Sequence, residues 1–426
     1  MDLLETTGKI LEYGETCDHC LGRFFGKRSH GLSNDERGKS LRIARAIAEH
    51  QPYTPFSGHC WICGDFFDAT EEWADRVIAA FGTLEYRTFL VGCHVPPMTA
   101  ESEEMVWSDL ALRDPEPFKS EVNREVGKAV SRKTGKVVDF KHPDLIALLD
   151  IPQGTVEVRV NPIFFYGRYQ KFERGIPQTH WDCRACRGKG CEKCNFTGKQ
   201  YQDSVEELIG RPAVQLFQAE NAVLHGSGRE DIDARMIGTG RPFIMEIVGP
   251  KIRSPALPEV ESAINRYAEG RVSVSLSRWA ERAEVEIIKS AKAHKKYRIL
   301  VEVDGVLSTD TFRNALSALS GVTIHQRTPE RVAHRRADKI RERTVIGIEL
   351  IETRDGKFVV EVTGEAGLYI KELISGDGGR TTPSLTEILT VPARVTSLDV
   401  VLVESPGGEE GEENGTPQRP KEEDTV

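Results

Sequence analysis

Eight of the nine cysteines in this chain fall in four Cys-x2-Cys pairs, and that spacing constrains the fold more than any other feature. A Cys-x2-Cys turn presents two thiolates to one edge of a tetrahedral ion, and two such turns close a four-sulfur site with no open position. Cys183, Cys186, Cys191 and Cys194 lie within one short Gly-rich run, which predicts a compact metal cluster. Cys17 and Cys20 are separated by 39 residues from Cys60 and Cys63, so a site there would staple distant segments together. Zinc is favoured at both, although iron–sulfur clusters use the same donors. Closed four-thiolate sites support folds and do no chemistry, so both are assigned to architecture or RNA docking and not to catalysis. Cys93 is left over in an apolar strand and reads as a core residue. The N-terminus, Met1-Asp2-Leu3-Leu4-Glu5, has no basic region followed by an apolar stretch. The expectation is therefore a cytoplasmic chain, in which paired cysteines bind metal and do not form disulfides.

The 426 residues suffice for several domains, and no stretch approaches the ~20 apolar residues of a membrane span. The formal charge of −9 is uneven. Residues 404–426 hold eight acidic and two basic residues, and a segment of that composition buries too little apolar surface to fold. By contrast, Ile324–Arg343 holds seven basic and three acidic residues, and Lys289–Arg298 five basic and no acidic one. Local fields of this kind, and not the total, steer a polyanion. Hydrophobic periodicity predicts helices near Asp35–His50, Glu72–Phe81, Ser120–Thr134, Val205–Phe217, Leu257–Gly270, Thr309–Leu319 and Gly367–Ile374. Strands are expected at Thr88–Cys93, Val137–Phe140, Thr155–Val160, Phe243–Val248, Tyr297–Val303, Thr344–Ile351, Lys357–Thr363 and Thr396–Val403. Their irregular interleaving indicates an α+β fold with a central, mostly antiparallel sheet in its C-terminal part. The expected divisions are a metal-binding module at 1–67, an α/β domain at 68–175, the compact cysteine cluster at 176–203, a catalytic domain at 204–403 and a disordered acidic tail at 404–426.

Three separated segments could carry chemistry. Gly226-Ser227-Gly228-Arg229-Glu230-Asp231-Ile232-Asp233-Ala234-Arg235, continuing to Gly238-Thr239-Gly240-Arg241-Pro242-Phe243, is a Gly-rich loop with three carboxylates and three arginines before a strand. It lacks the Gly-Lys-Ser/Thr ending of a phosphate-cradling loop, and the acidic residue of a dinucleotide site is missing downstream. Lys295-Lys296-Tyr297-Arg298 opens an apolar strand, and Gly367-Leu368-Tyr369-Ile370-Lys371-Glu372 is the third segment.

Gly-Arg-x-Asp, a later Tyr-bearing strand and Gly-x-Tyr-Ile-Lys together resemble pseudouridine synthases. With Cys17-Asp18-His19-Cys20-Leu21-Gly22-Arg23, Thr328-Pro329-Glu330-Arg331-Val332-Ala333-His334-Arg335-Arg336 and the compact cysteine cluster, the resemblance narrows to the archaeal tRNA pseudouridine(54/55) synthase family. It spans nearly the whole chain except the acidic tail. The resemblance implies that Asp231 is the catalytic aspartate, that Tyr297 stacks on the target base and takes part in removing the C5 proton, and that Lys371 is the basic partner of the aspartate. It further implies that Ile370 and Leu398 line the pocket, that Tyr369 contacts substrate, and that 68–175 holds a THUMP-type RNA-binding domain. The partner would be the TΨC arm of tRNA, with uridine 55, and uridine 54 beside it, isomerised; no protein partner is implied.

The chemistry agrees. Breaking the C1′–N1 bond, turning the uracil and rejoining it through C5 involves no net redox change, so no catalytic cofactor is needed and zinc is structural. One carboxylate must attack, or deprotonate, the ribose. A flipped base needs an aromatic face to replace its lost stacking. A dry pocket disfavours an ionised aspartate and a nearby cation opposes that effect. Lys371, with Arg229 or Arg241, is expected to supply it. Asp233 is the competing carboxylate. Arg335 and Arg336, in the basic run, suit phosphate contacts. A methyltransferase or thiouridine synthase would need a nucleotide or methionine-cofactor loop that is not found. A zinc-dependent tRNA chaperone would bind tRNA equally well without Asp231.

Overall fold

The computed structural model describes residues 2–28, 30–113, 115–333 and 336–404. Arg335 and the tail beyond Glu404 lie outside the described residues. The chain forms two compact units, one of residues 1–162 with 249–254, the other of 163–248 with the remainder.

In the first unit, helices Leu3–Glu12, Asp18–Arg23 and Asn34–Ala48 precede a four-stranded sheet. The Asn34–Ala48 helix starts where Ser33 and Glu36 satisfy each other's backbone donors in a capping box. It crosses Asp18–Arg23 almost backbone to backbone. A Cβ on Gly38 would lie 1.9 Å from the Asp18 carbonyl oxygen, and one on Gly22 1.8 Å from that of Asn34. Gly38→Ala must therefore push the helices apart, and overpacking of this kind costs about 1–3 kcal/mol. A melting temperature of this unit lowered by several degrees is expected; an unchanged one would show that the helices are not in contact there.

The sheet of this unit has the order β2 (Val137–Val138), β1 (Thr88–His94), β3 (Leu145–Asp150), β4 (Thr155–Val160). β1 pairs in parallel with both β2 and β3, and only β4 is antiparallel. Phe89, Val91 and Cys93 alternate inward from β1, as the sequence pattern requires of a half-buried strand. Helices Thr70–Phe81 and Phe118–Thr134 cover the sheet. One apolar core runs from Leu21, Phe24 and Phe66 through Trp73 and Phe118 to Leu149. The segments expected as separate bodies at 1–67 and from 68 onward thus share a core.

The second unit is built on a mostly antiparallel sheet. Its strands are β5 (Ile163–Lys171), β6 (Asn221–Gly226), β7 (Arg235–Val248), β8 (Val272–Ala280), β9 (Lys295–Val303), β10 (Thr323–Arg327), β11 (Ile340–Arg354), β12 (Lys357–Gly364), β13 (Thr381–Thr382) and β14 (Ala393–Val403). The spatial order is β13-β10-β11-β12-β9-β14-β7-β5-β8, with β6 also on β7. β14 and β7 form the one parallel pair among the described strands of this sheet. β5 lies between β7 and β8, so the chain divides at 162/163 and not at the expected 175/176. Phe164 and Phe165 are buried in succession, and buried Gly167 and Lys171 stand where an apolar period would need hydrophobic residues, which hides the strand in the sequence. Helices Val205–Phe217 and Leu257–Ala268 pack over Phe165, Phe243 and Met245.

Candidate active site

The β6–β7 connection, residues 227–234, is the Gly-rich loop. Its neighbours Glu230 and Asp231 point to opposite sides. Glu230 is 7% exposed and accepts from the Tyr169 hydroxyl at 2.9 Å and from Arg241 Nε at 2.9 Å. Arg241 also donates to the Ser227 carbonyl at 2.7 Å, and Gln178 donates to the Gly228 carbonyl at 3.0 Å. Lys171, fully buried, donates to the Ile176 and Ile232 carbonyls. This buried network fixes the loop from below, and breaking one partner of such a pair costs about 3–5 kcal/mol.

Asp231 turns the other way, into a cavity of about 320 Å³, near the lower limit of ligand pockets. Arg331 reaches it at 3.0 Å and Lys371 at 3.6 Å. Arg331 is also bound to Glu372 at 2.7 Å, and Lys371 to Asp233 at 2.6 Å. Carboxylates and cations therefore alternate along a chain: Asp233, Lys371, Asp231, Arg331, Glu372. Burial favours loss of the Arg331 charge, but Glu372 and Asp231 outweigh it and hold its pKa above the ordinary value. Burial would raise the Asp233 carboxyl, and the hydrogen bond and charge of Lys371 reverse that and hold it low.

Tyr297 lines the same cavity from β9. Its phenol is pushed up to about 12 by burial, with Asp231 adding to the shift and Arg241 opposing it. The ring thus faces the cavity as a neutral phenol at physiological pH. β14 lies beside β9, with Leu398 opposite Ile299 and Val400 opposite Tyr297, so Leu398 forms the adjoining wall. Ile370 opens the helix Ile370–Ser375. Tyr369 precedes it, held by paired bonds of 2.8 and 2.9 Å to the buried Gln326 amide, with its hydroxyl accepting from Arg336 at 3.1 Å.

The structure thus gathers Asp231, Tyr297, Lys371, Tyr369, Ile370, Leu398, Arg229, Arg241 and Arg336 around one cavity. One expectation is corrected. Arg241 pairs with Glu230 beneath the loop, because burial leaves it no other acid to neutralise, and it is not the cation of Asp231. Arg229 packs over the Trp181 ring at 5.0 Å. The sequence reading missed Arg331, which sits inside the Thr328–Arg336 run but is one arginine among several there. It also missed Lys295, which alternation along β9 places on the same face as Tyr297. Eight cations and two carboxylates line the cavity, a local excess of positive charge in an acidic chain.

Both cysteine quartets close, with the four Sγ atoms of each within 4.8 Å of one another. Cys17–Cys63, Cys186–Cys194 and Cys191–Cys194 are 3.7, 3.8 and 3.7 Å apart. Four sulfurs at ~2.3 Å from a tetrahedral ion stand about 3.8 Å from each other. Backbone N–H groups of Cys17, Cys20, Gly190, Cys191 and Gly198 point at the sulfurs, as bound thiolates require. The donor sets fit a metal, with no position left open for chemistry. Cys93 is buried apart from both quartets.

Comparison with known proteins bears on the whole chain. Residues 164–404 match the family model "Pus10, C-terminal", and residues 73–150 match "Pus10 THUMP domain, archaeal". The chain is 42% identical over 428 residues to the protein named tRNA pseudouridine synthase Pus10 from Methanothrix thermoacetophila, covering 94% of each chain. It is 45% identical over 413 residues to the protein of the same name from Methanothermobacter marburgensis, covering 95% of this chain and all of that one. Among solved structures, a Cbf5-Nop10-Gar1 complex aligns at 18% identity with a TM-score of 0.30 over 47% of this chain and 45% of the other, too loose a likeness to add to the assignment. With one unit carrying the archaeal THUMP match, the other carrying the C-terminal match around the Asp231 cavity, and relatives aligned nearly end to end, this chain belongs to the Pus10 family.

Proposed function

We propose that the chain is an RNA isomerase that converts uridine 55, and uridine 54 beside it, in the TΨC arm of tRNA to pseudouridine. The observation that carries this reading is the Asp231 carboxylate, set between two cations in a small cavity walled by Tyr297, Ile370 and Leu398 and rimmed by arginines. Asp231 attacks, or deprotonates, the ribose as the C1′–N1 bond breaks. The Tyr297 ring, with Leu398 and Ile370, holds the flipped uracil. Lys371 and Arg331 aim the carboxylate. Arg336, Arg341 and Arg343 take phosphates at the rim. Arg229, on the lining of the same cavity, and Arg335, by its place in the basic run of the sequence, are further phosphate contacts.

The reaction needs no redox or nucleotide cofactor, because it rearranges one nucleotide and releases nothing. The quartets hold structural zinc. No helix among the described residues is long and apolar enough to cross a membrane, and the workplace proposed is the cytoplasm.

The test is to incubate the chain with unmodified tRNA transcript, adding no cofactor, and to map pseudouridine by chemical labelling. Product at position 55, with or without 54, supports the reading; product elsewhere or none overturns it. Tyr297→Phe keeps the ring and removes the hydroxyl. It should bind tRNA as before and lose roughly 10²-fold in rate, and an unchanged rate would leave Tyr297 its stacking role alone.

A further inference from the structure

Lys295 stands apart from the other cations of the cavity. Arg331 and Lys371 are tied to Glu372, Asp231 and Asp233. Arg241 is tied to Glu230, and Arg336 to the Tyr369 hydroxyl. Arg341 bonds the Thr328 hydroxyl and Arg343 the Ala366 carbonyl, while Arg229 covers Trp181. Lys295 lines the same cavity with no hydrogen-bond or ion-pair partner among the described residues. Its Nζ lies where a Cβ on Gly228 would approach it to 2.9 Å, so Gly228, at φ +76°, leaves the space the ammonium uses. It comes from the β9 face that carries Tyr297, two residues on.

An unpartnered ammonium in a half-buried wall is costly unless a negative charge arrives to meet it. Burial and the neighbouring Arg241 push its pKa down to about 8, with Glu230 opposing. The proposed reaction supplies such a charge. When the C1′–N1 bond breaks, its electron pair stays with the uracil, which becomes an anion with charge spread from N1 over its carbonyl oxygens. Asp231 deals with the ribose side of that bond and carries a negative charge itself, so it cannot stabilise the departing base. We propose that Lys295 does so: its ammonium donates a hydrogen bond to a carbonyl oxygen of the detached uracil and holds the anion while it turns. Lys295 keeps its proton throughout. The base returns through C5, the C5 proton leaves, N1 takes up a proton, and nothing is gained or lost overall.

This role rests on the isomerase reading above, and the experiment separates the two. Wild type, Lys295→Met and Lys295→Arg are compared in full-length form on unmodified tRNA transcript, by tRNA affinity, single-turnover rate and the pH dependence of kcat/KM. A wild type that makes no pseudouridine ends the isomerase reading and this role with it. With an active wild type, Lys295→Met should lose roughly 10²–10³-fold in single-turnover rate and bind tRNA within about twofold of wild type. The same rate as wild type, or a loss confined to affinity, would overturn the role, the latter by showing that Lys295 meets a ground-state phosphate.

The pH profile gives an answer even if Lys295→Met folds poorly. The charged form is required and its pKa is lowered, so kcat/KM of wild type should fall as pH rises through about 8. Arginine stays charged, so Lys295→Arg should keep kcat/KM level across that range. An identical basic limb in both proteins would overturn the assignment.

Discussion

Replacing Asp231 by alanine is expected to abolish pseudouridine formation, with a rate loss of roughly 10⁴-fold or more, while tRNA binding and folding are kept. The geometry explains why the loss should be so selective. Removing the carboxylate takes one partner from Arg331 and one from Lys371, but Arg331 keeps Glu372 at 2.7 Å and Lys371 keeps Asp233 at 2.6 Å. Neither cation is stranded, so the penalty of a buried unpaired charge does not arise. The loop stays anchored through Glu230, Arg241 and Gln178, whose hydrogen bonds do not use the Asp231 carboxylate. Melting temperature, tRNA affinity and product yield, measured together, check this. A variant with full yield would remove Asp231 from the chemistry. One whose melting temperature collapses would show that the carboxylate holds the fold.

The second large effect is expected from Cys60→Ser. Cys60 is fully buried and its sulfur accepts the Cys17 amide, so it belongs to both the quartet and the core of the first unit. Binding of structural zinc contributes about 10–16 kcal/mol in small zinc modules, comparable with or larger than the ~5–15 kcal/mol that holds a whole domain. Loss of one ligand should lower metal content from two ions per chain to one and unfold the first unit at temperatures where wild type is native. Cys194→Ser should lower metal content equally but leave the melting of the first unit in place, because Cys194 lies outside that core. A wild type with a single ion, or a Cys60→Ser protein that melts normally, would contradict this.

The sequence made the carboxylate, the tyrosine and the quartets legible because each is a short motif whose spacing carries its meaning. What it concealed depends on distance or on a broken rhythm. Arg331 reaches Asp231 from 100 residues away, and no local pattern singles it out from the other arginines of its run. Arg241 looked available because it follows the loop closely, yet the strand turns it inward to Glu230. β7 begins at Arg235, eight residues before the expected Phe243, because Gly238 and Gly240 give its first half the composition of a loop. β8 is absent from the expected strands although Val272-Ser-Val-Ser-Leu-Ser alternates, so its signal is present in the sequence.

The opposed directions of Glu230 and Asp231 set a condition on chain length. Two acids adjacent in sequence have exchanged fates: one neutralises an arginine in the dry interior, the other meets substrate. Inserting or deleting a single residue between Gly226 and Glu230 would slip the register, present the wrong acid to the cavity and carry Glu230 away from Arg241. The loop's count of residues is thus as binding as the identity of either acid.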